Sequence, residues 1–113
     1  MNSYIPTVVF DFDGTICTLV PDRQYHLIQP RWEVINKLNK LYDDGFQIIV
    51  LTGRGMITYA GDIQKIEERY RIEIEDFLLR YGIKYHKLMF GKPSADYYVD
   101  DKGLNVEDFI LQR

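Results

Sequence analysis

The sequence predicts an α/β fold: one mostly parallel sheet with helices on both faces. Three observations lead there. Short β-branched and aromatic runs alternate with longer stretches of helical period. The apolar runs end abruptly in acidic or glycine-containing clusters. The chain of 113 residues is one domain's worth, residues 1–113, because two cores of half that size would each be marginal.

Each element has its own signal. Val8, Val9 and Phe10 run straight into Asp11 and read as a strand buried on both faces. Residues 15–29 lack a helical period and contain Pro21, so they read as a loop or small hairpin. Pro30 suits a first helical turn. Trp32, Val34, Ile35, Leu38 and Leu41 then recur at helical spacing until Asp43, Asp44 and Gly45 stop the helix. Residues 46–51, FQIIVL, form the clearest second strand, and Thr52-Gly53-Arg54-Gly55 is a glycine-punctuated loop. Ile63, Ile66, Tyr70, Ile74, Phe77 and Leu78 make a broad helical stripe over 62–80, closed by Gly82. A third strand is expected at 85–90, a fourth at 97–99 and a short last helix at 106–111.

Composition narrows the function. Hydrophobic residues at 46% and charged residues at 27% suit a globular domain. A net charge of −3, with 14 Lys and Arg spread along the chain, argues against a groove dedicated to nucleic-acid phosphates. A phosphate met by this protein is then expected on a small molecule. The single cysteine, Cys17, has no internal disulfide partner and suits a reducing compartment. The amino-terminal stretch reaches an Asp before any run of signal-peptide length, and no stretch approaches the ~20 apolar residues that span a bilayer. The expectation is a soluble, cytoplasmic protein with no membrane or nucleic-acid partner.

The polar clusters hold the chemistry. In a parallel sheet with right-handed crossovers the strands' carboxyl ends share one edge, and ligands bind there. Asp11-Phe12-Asp13-Gly14-Thr15, Thr52-Gly53-Arg54 and Asp100-Asp101 each begin where an expected strand stops. Four carboxylates on one rim would repel, by about 4 kcal/mol for a pair of unit charges ~4 Å apart at an effective dielectric of 20. Something positive must sit among them. All-oxygen ligation without His or Cys favours a hard divalent ion, Mg²⁺ above Ca²⁺, and Lys92 supplies a second positive charge. Taken singly, each cluster has a plainer reading as a turn, a cap or a solvated loop. The plain readings do not account for an acid pair, a hydroxyl, an amine and a second acid pair on successive strand ends.

This ordered set resembles the motifs of the haloacid dehalogenase superfamily. Asp11-Phe12-Asp13-Gly14-Thr15 after Val8-Val9-Phe10 is similar to the first motif, Thr52 after Ile48-Ile49-Val50-Leu51 to the second, Lys92 to the third and Asp100-Asp101 to the fourth. Together they cover residues 7 to about 101. The segments INKLNKLYDDGFQIIVLTGRG and YGIKYHKLMFGKPSADYYVDDK further resemble the small phosphatases associated with capsular polysaccharide biosynthesis. Gly53 departs from the Thr-Ala-Arg expected in many of those relatives and should be tolerated.

The resemblance implies a Rossmann-like fold and a Mg²⁺-dependent phosphomonoester hydrolase. Asp11 would attack phosphorus and form an aspartyl phosphate, and Asp13 would protonate the leaving alcohol and then activate water. Asp11, the carbonyl of Asp13 and Asp100 would hold Mg²⁺. Thr52, Gly53, Arg54 and Lys92 would form the substrate-binding set, Thr52 by a hydrogen bond to the phosphoryl group and Lys92 by neutralising its charge. Asp101 would orient metal-bound water or Lys92. Only residues 16–29 follow the first motif before the next helix, and one helix and one strand consume residues 56–91, so the chain resembles a member without a cap domain. Such enzymes cover the site with oligomer contacts or a large substrate, which makes a homo-oligomer an expectation.

Beyond the phosphate, Arg54 and Arg23 are candidates for reading the substrate, since a guanidinium binds oxyanions bidentately. Tyr25 and His26 could line the entrance. His86, on an expected strand, reads as structural. Cys17 has no neighbouring His or basic cluster to make a thiolate and reads as a small packed residue. The expected substrate is a small sugar or polyol phosphate, with surface-polysaccharide synthesis resting on the likeness alone. A receiver-like phosphoacceptor signalling domain is the alternative. It would place its phosphoacceptor after the third strand, where this chain has Phe90-Gly91-Lys92.

Overall fold

The computed structural model describes residues 4–112. The first three residues, part of the stretch read as lacking an export signal, lie outside the described residues. Three strands, β1 (Thr7–Asp11), β2 (Gln47–Thr52) and β3 (Lys87–Phe90), alternate with α1 (Trp32–Asp43) and α2 (Ile63–Arg80), and α3 (Val106–Leu111) follows. The strands form an all-parallel open sheet in the order β1-β2-β3. This is the expected α/β architecture with a single Rossmann-like sheet, except that the helices pack on one face of the sheet rather than on both.

Register decides which side chains meet. Phe10, Val50 and Leu88 are paired across the sheet and all three are buried. Phe109 of α3 meets Phe10 edge to face at 5.3 Å, and Arg71 of α2 lies over the ring of Phe90, two residues beyond Leu88 on the same face. Val34, Ile35 and Leu38 of α1 and Ile66, Ile74 and Leu78 of α2 complete that core with no exposed surface. Connections of one hand stepping one way along a sheet place their helices together, which is why the apolar stripes of α1 and α2 share this face. The alternate positions point the other way. Val9 there is 54% exposed and Met89 47%, so β1, read as buried on both faces, is buried on one.

Most element boundaries match the sequence pattern. Helix α2 starts where Asp62 accepts a hydrogen bond from the Lys65 N–H, the usual way an acidic cap satisfies a free first-turn donor. Gly45 ends the α1 turn at φ +96°, a conformation costly for residues with a Cβ. The stretch 15–29 is a loop holding two short 3₁₀ turns, Pro21–Arg23 and Tyr25–Leu27. The fourth strand at 97–99 does not form. Residues 93–105 instead make an arm of thirteen consecutive exposed residues. Among the described residues no helix is long and apolar enough to cross a membrane.

Candidate functional site

The site grows from the end of β1. Phe12 is fully buried and packs edge to face on Phe77 at 5.4 Å, so its two acidic neighbours are both left at the rim. Directly after it the chain turns tightly: the Phe12 carbonyl accepts from the N–H groups of Thr15, Ile16 and Cys17. Gly14 takes φ +85° in that turn, a conformation that strains any residue with a Cβ, and the exposed Leu19 side chain packs 3.0 Å from where a Cβ would sit. The Arg31 guanidinium donates to the Gly14 carbonyl at 2.9 Å and pairs with Glu107 at 3.1 Å, tying the turn to α3.

Asp11 and Asp13 line one open cavity of about 400 Å³, together with Arg23, Tyr25, Gly53, Arg54, Lys92 and Tyr98. The Lys92 ammonium lies 3.5 Å from Asp11 Oδ1. Burial pushes the Asp11 carboxyl above its ordinary value, and Lys92 pulls against that rise. Lys92 owes its place to the β2 edge: the Thr52 carbonyl accepts from the N–H groups of both Gly91 and Lys92 at 3.2 Å. A Cβ on Gly53 would fall 2.8 Å from the Lys92 carbonyl oxygen. Glycine at 53 is therefore what lets these two rims close, and the departure from Thr-Ala-Arg suits this backbone.

Arg54 does something the sequence did not announce. Its side chain is only 1% exposed, and Nη2 and Nε donate to Asp13 Oδ1 and Oδ2 at 2.7 and 3.1 Å. The Tyr25 ring lies 3.7 Å from the guanidinium carbon, with Phe12 and Tyr70 within 6 Å. A planar cation gripped by a carboxylate and walled by aromatic faces is held in one rotamer. Arg54, expected to read substrate, is committed to Asp13 by two of its nitrogens.

The remaining expected residues divide. Thr52 is buried, its hydroxyl oxygen accepts from the Arg54 N–H at 3.1 Å, and it lies behind rather than on the cavity lining. Arg23 and Tyr25 line the cavity, whereas His26 lines a neighbouring one that shares Tyr25 and Arg54. His86 is structural: its Nδ1 accepts from the Ile48 N–H at 3.0 Å and its ring stacks on Tyr42. Cys17 is buried, its thiol is pushed up to about 12 by burial and then by Asp13, and it packs as expected. Asp100 is not brought to the site. It sits exposed on the arm, where the Lys102 N–H holds its carboxyl below the ordinary value. The physical reason is topological: residues 93–96 alone separate Lys92 from the stretch at 97–99, and a parallel neighbour needs a crossover of about a dozen residues. Asp101 shares that arm.

The donor set can be tested against Mg²⁺. Asp11 and Asp13 are at the cavity and Asp100 is elsewhere. Among the described residues no group of three or more His, Cys, Asp or Glu is placed to hold a metal ion. One chain therefore does not assemble the expected ligand set. Sequence reasoning also missed Arg31 and Tyr98, whose ring lies 4.4 Å from the Lys92 ammonium. No local pattern marks either, because each partner is fixed by the fold.

No family model matches the chain, and no curated protein matches it. Solved structures do. A structural-genomics target from Vibrio cholerae is 28% identical with a TM-score of 0.89, covering 96% of this chain and 90% of that one. A chain of the Pnkp1/Rnl/Hen1 complex is 26% identical with a TM-score of 0.58, covering 88% of this chain and 32% of that one. A second structure of that RNA repair complex matches at 26% identity and a TM-score of 0.58, over 86% of this chain and 29% of that one.

Proposed function

We propose that the protein is a phosphomonoester hydrolase of the haloacid dehalogenase type, working through an aspartyl phosphate. The observation that supports this best is the pairing at the carboxyl edge of the sheet: Asp11 beside a Lys92 ammonium, and Asp13 in the grip of Arg54, around one open cavity. A carboxylate next to a fixed cation, facing space for a phosphoryl group, is arranged to attack phosphorus. An Asp11 oxygen forms the new bond to phosphorus while the ester oxygen leaves, taking a proton from an Asp13 carboxyl that has swung from Arg54 to the leaving oxygen. Water, deprotonated by Asp13, then attacks the phosphorus, releasing phosphate and restoring Asp11. Lys92 offsets the negative charge on the transferring group throughout. The all-oxygen donors keep Mg²⁺ as the cofactor of this reading, although one chain brings only two of the three ligands to the cavity.

The open cavity leaves room for a small sugar or polyol phosphate, and the resemblance to capsular-polysaccharide phosphatases alone carries the cytoplasmic setting and the role in surface-polysaccharide synthesis. The likeness to a chain of an RNA repair complex favours a second substrate class, a phosphorylated RNA end, despite the acidic net charge. Hydrolysis of p-nitrophenyl phosphate in Mg²⁺ by the wild type, lost in Asp11→Asn, is the expected result. Activity that survives the substitution removes Asp11 from its role. A phosphoryl-Asp lasting minutes after acetyl phosphate treatment would favour the receiver-like alternative. Ranking sugar phosphates against a 3′-phosphorylated oligoribonucleotide by kcat/KM separates the two substrates.

A further inference from the structure

We infer that the exposed arm, residues 93–105, is an exchange element: in a homodimer it seats on the open face and edge of a second copy's sheet and carries Asp100 to that copy's Asp11–Lys92 cavity. The inference rests on the hydrolase reading for its catalytic consequence, and on independent geometry for the interface.

Four observations converge on it. First, the arm stands large apolar side chains in water: Tyr97, Val99 and Leu104 are 86%, 99% and 50% exposed. A β-prone run whose Tyr97 and Val99 point into water, with only Tyr98 turned back on Lys92, lacks a strand partner. Second, the same molecule presents a matching surface. β1 pairs only with β2, leaving its outer edge without a neighbouring strand among the described residues. Val9 and Met89 stand half-exposed on the face the helices do not cover, the face shared by Ile49 and Leu51. An apolar arm and an open apolar sheet on one chain are self-complementary under a two-fold axis. Third, the arm cannot take that place at home. Its start is held at Lys92, five positions before Tyr97, and its end at α3, where Phe109 packs on Phe10 and the Lys37 ammonium donates to the Phe109 carbonyl at 2.9 Å. Fourth, charge agrees: the arm carries Asp96, Asp100 and Asp101 against one Lys102, and the cavity carries Arg23, Arg54 and Lys92 against two acids. A stable interface takes about 800 Å² from each partner, and thirteen exposed residues with an open sheet face supply area of that order.

Asp100 would then complete in the partner's cavity the acidic set that a single chain leaves at two. Sedimentation equilibrium of the wild type should give twice the mass of one chain. Val99→Asp, at a position with no burial to lose in the single chain, should give the single-chain mass with an unchanged far-ultraviolet circular dichroism spectrum. For the delivery of Asp100, Asp11→Asn and Asp100→Asn chains carrying different affinity tags are co-expressed and the mixed dimer is purified through both tags. Each homodimer should be inactive, and the mixed dimer should recover about half the wild-type rate on p-nitrophenyl phosphate, because one of its cavities combines an intact Asp11 with an intact Asp100. A wild type that sediments as a single chain overturns the inference. So does a dimer whose mixed form stays as inactive as its parents. If wild type itself hydrolyses no phosphate ester, the hydrolase reading fails, and the Val99→Asp mass still decides the interface.

Discussion

At the scale of single residues, the Arg54–Asp13 pair sets how the first acidic motif behaves. Removing one member of a buried pair leaves the other's charge without compensation, at about 3–5 kcal/mol for full burial. Asp13 keeps part of its carboxylate in solvent, so Arg54→Met should destabilise the protein by about 2–4 kcal/mol in urea unfolding. A double-mutant cycle with Asp13→Asn should return a coupling above ~1 kcal/mol; additive effects would mean the contact carries no energy. Asp11 behaves in the opposite sense. Its folded-state pKa lies above the ordinary 3.8 because burial outweighs Lys92. A carboxyl raised on folding favours the native state below its unfolded value, and that contribution is lost as pH rises through the folded value. Asp11→Asn should therefore be more stable than wild type at pH 7, with the gain fading as pH falls toward 3.8. An Asp11→Asn chain less stable at both pH values would show that Asp11 is there for the fold. Cys17, with its thiol pushed up to about 12, should react with a disulfide reagent at pH 8 about a thousandfold more slowly in the folded than in the unfolded protein.

At the scale of elements, the close approach of β2 and β3 hangs on Gly53. Since a Cβ there meets backbone, the Lys92 carbonyl, at 2.8 Å, the Lys92 segment rather than a side chain must give way. Gly53→Ala should lower kcat on p-nitrophenyl phosphate at least tenfold while leaving the far-ultraviolet spectrum intact, because a displacement of about 1 Å at a catalytic group costs up to a hundredfold. Unchanged kcat would place Lys92 outside the reaction. The elements themselves were largely legible. Helices α1 and α2 announce their buried faces through residues such as Val34, Leu38, Ile66 and Ile74 at helical spacing, and the strand ends located Asp11, Asp13 and Lys92 on one rim. What was illegible depends on partners far along the chain. Arg54 meets Asp13 across 41 positions and Arg31 meets Glu107 across 76, and no local pattern encodes either. Tyr97-Tyr98-Val99 carries a strand's composition, but a strand needs a neighbour, and the six residues after β3 are too few for the crossover a parallel one requires.

At the scale of the whole molecule, the helices leave half of the sheet's apolar surface to be accounted for. Val8-Val9-Phe10 and Ile48-Ile49-Val50-Leu51 are continuous apolar runs, the pattern of strands covered on both sides, yet Val9 and Met89 stand half in water. A chain whose sequence is written for two-sided burial and whose fold supplies one side has its stability tied to whatever covers the other. If that cover is a second copy, unfolding turns one dimer into two chains, and a tenfold rise in protein concentration adds about 1.4 kcal/mol per dimer to the folded state. Spread over the unfolding entropy of two such chains, this raises Tm by about 3 °C per decade of concentration. Calorimetry from micromolar to hundreds of micromolar should show that slope for the wild type and a flat line for Val99→Asp, whose lower Tm the wild type approaches on dilution. A wild-type Tm that stays constant over the same range would mean that the one-sided core holds the fold by itself, and the open face would then need no partner to explain it.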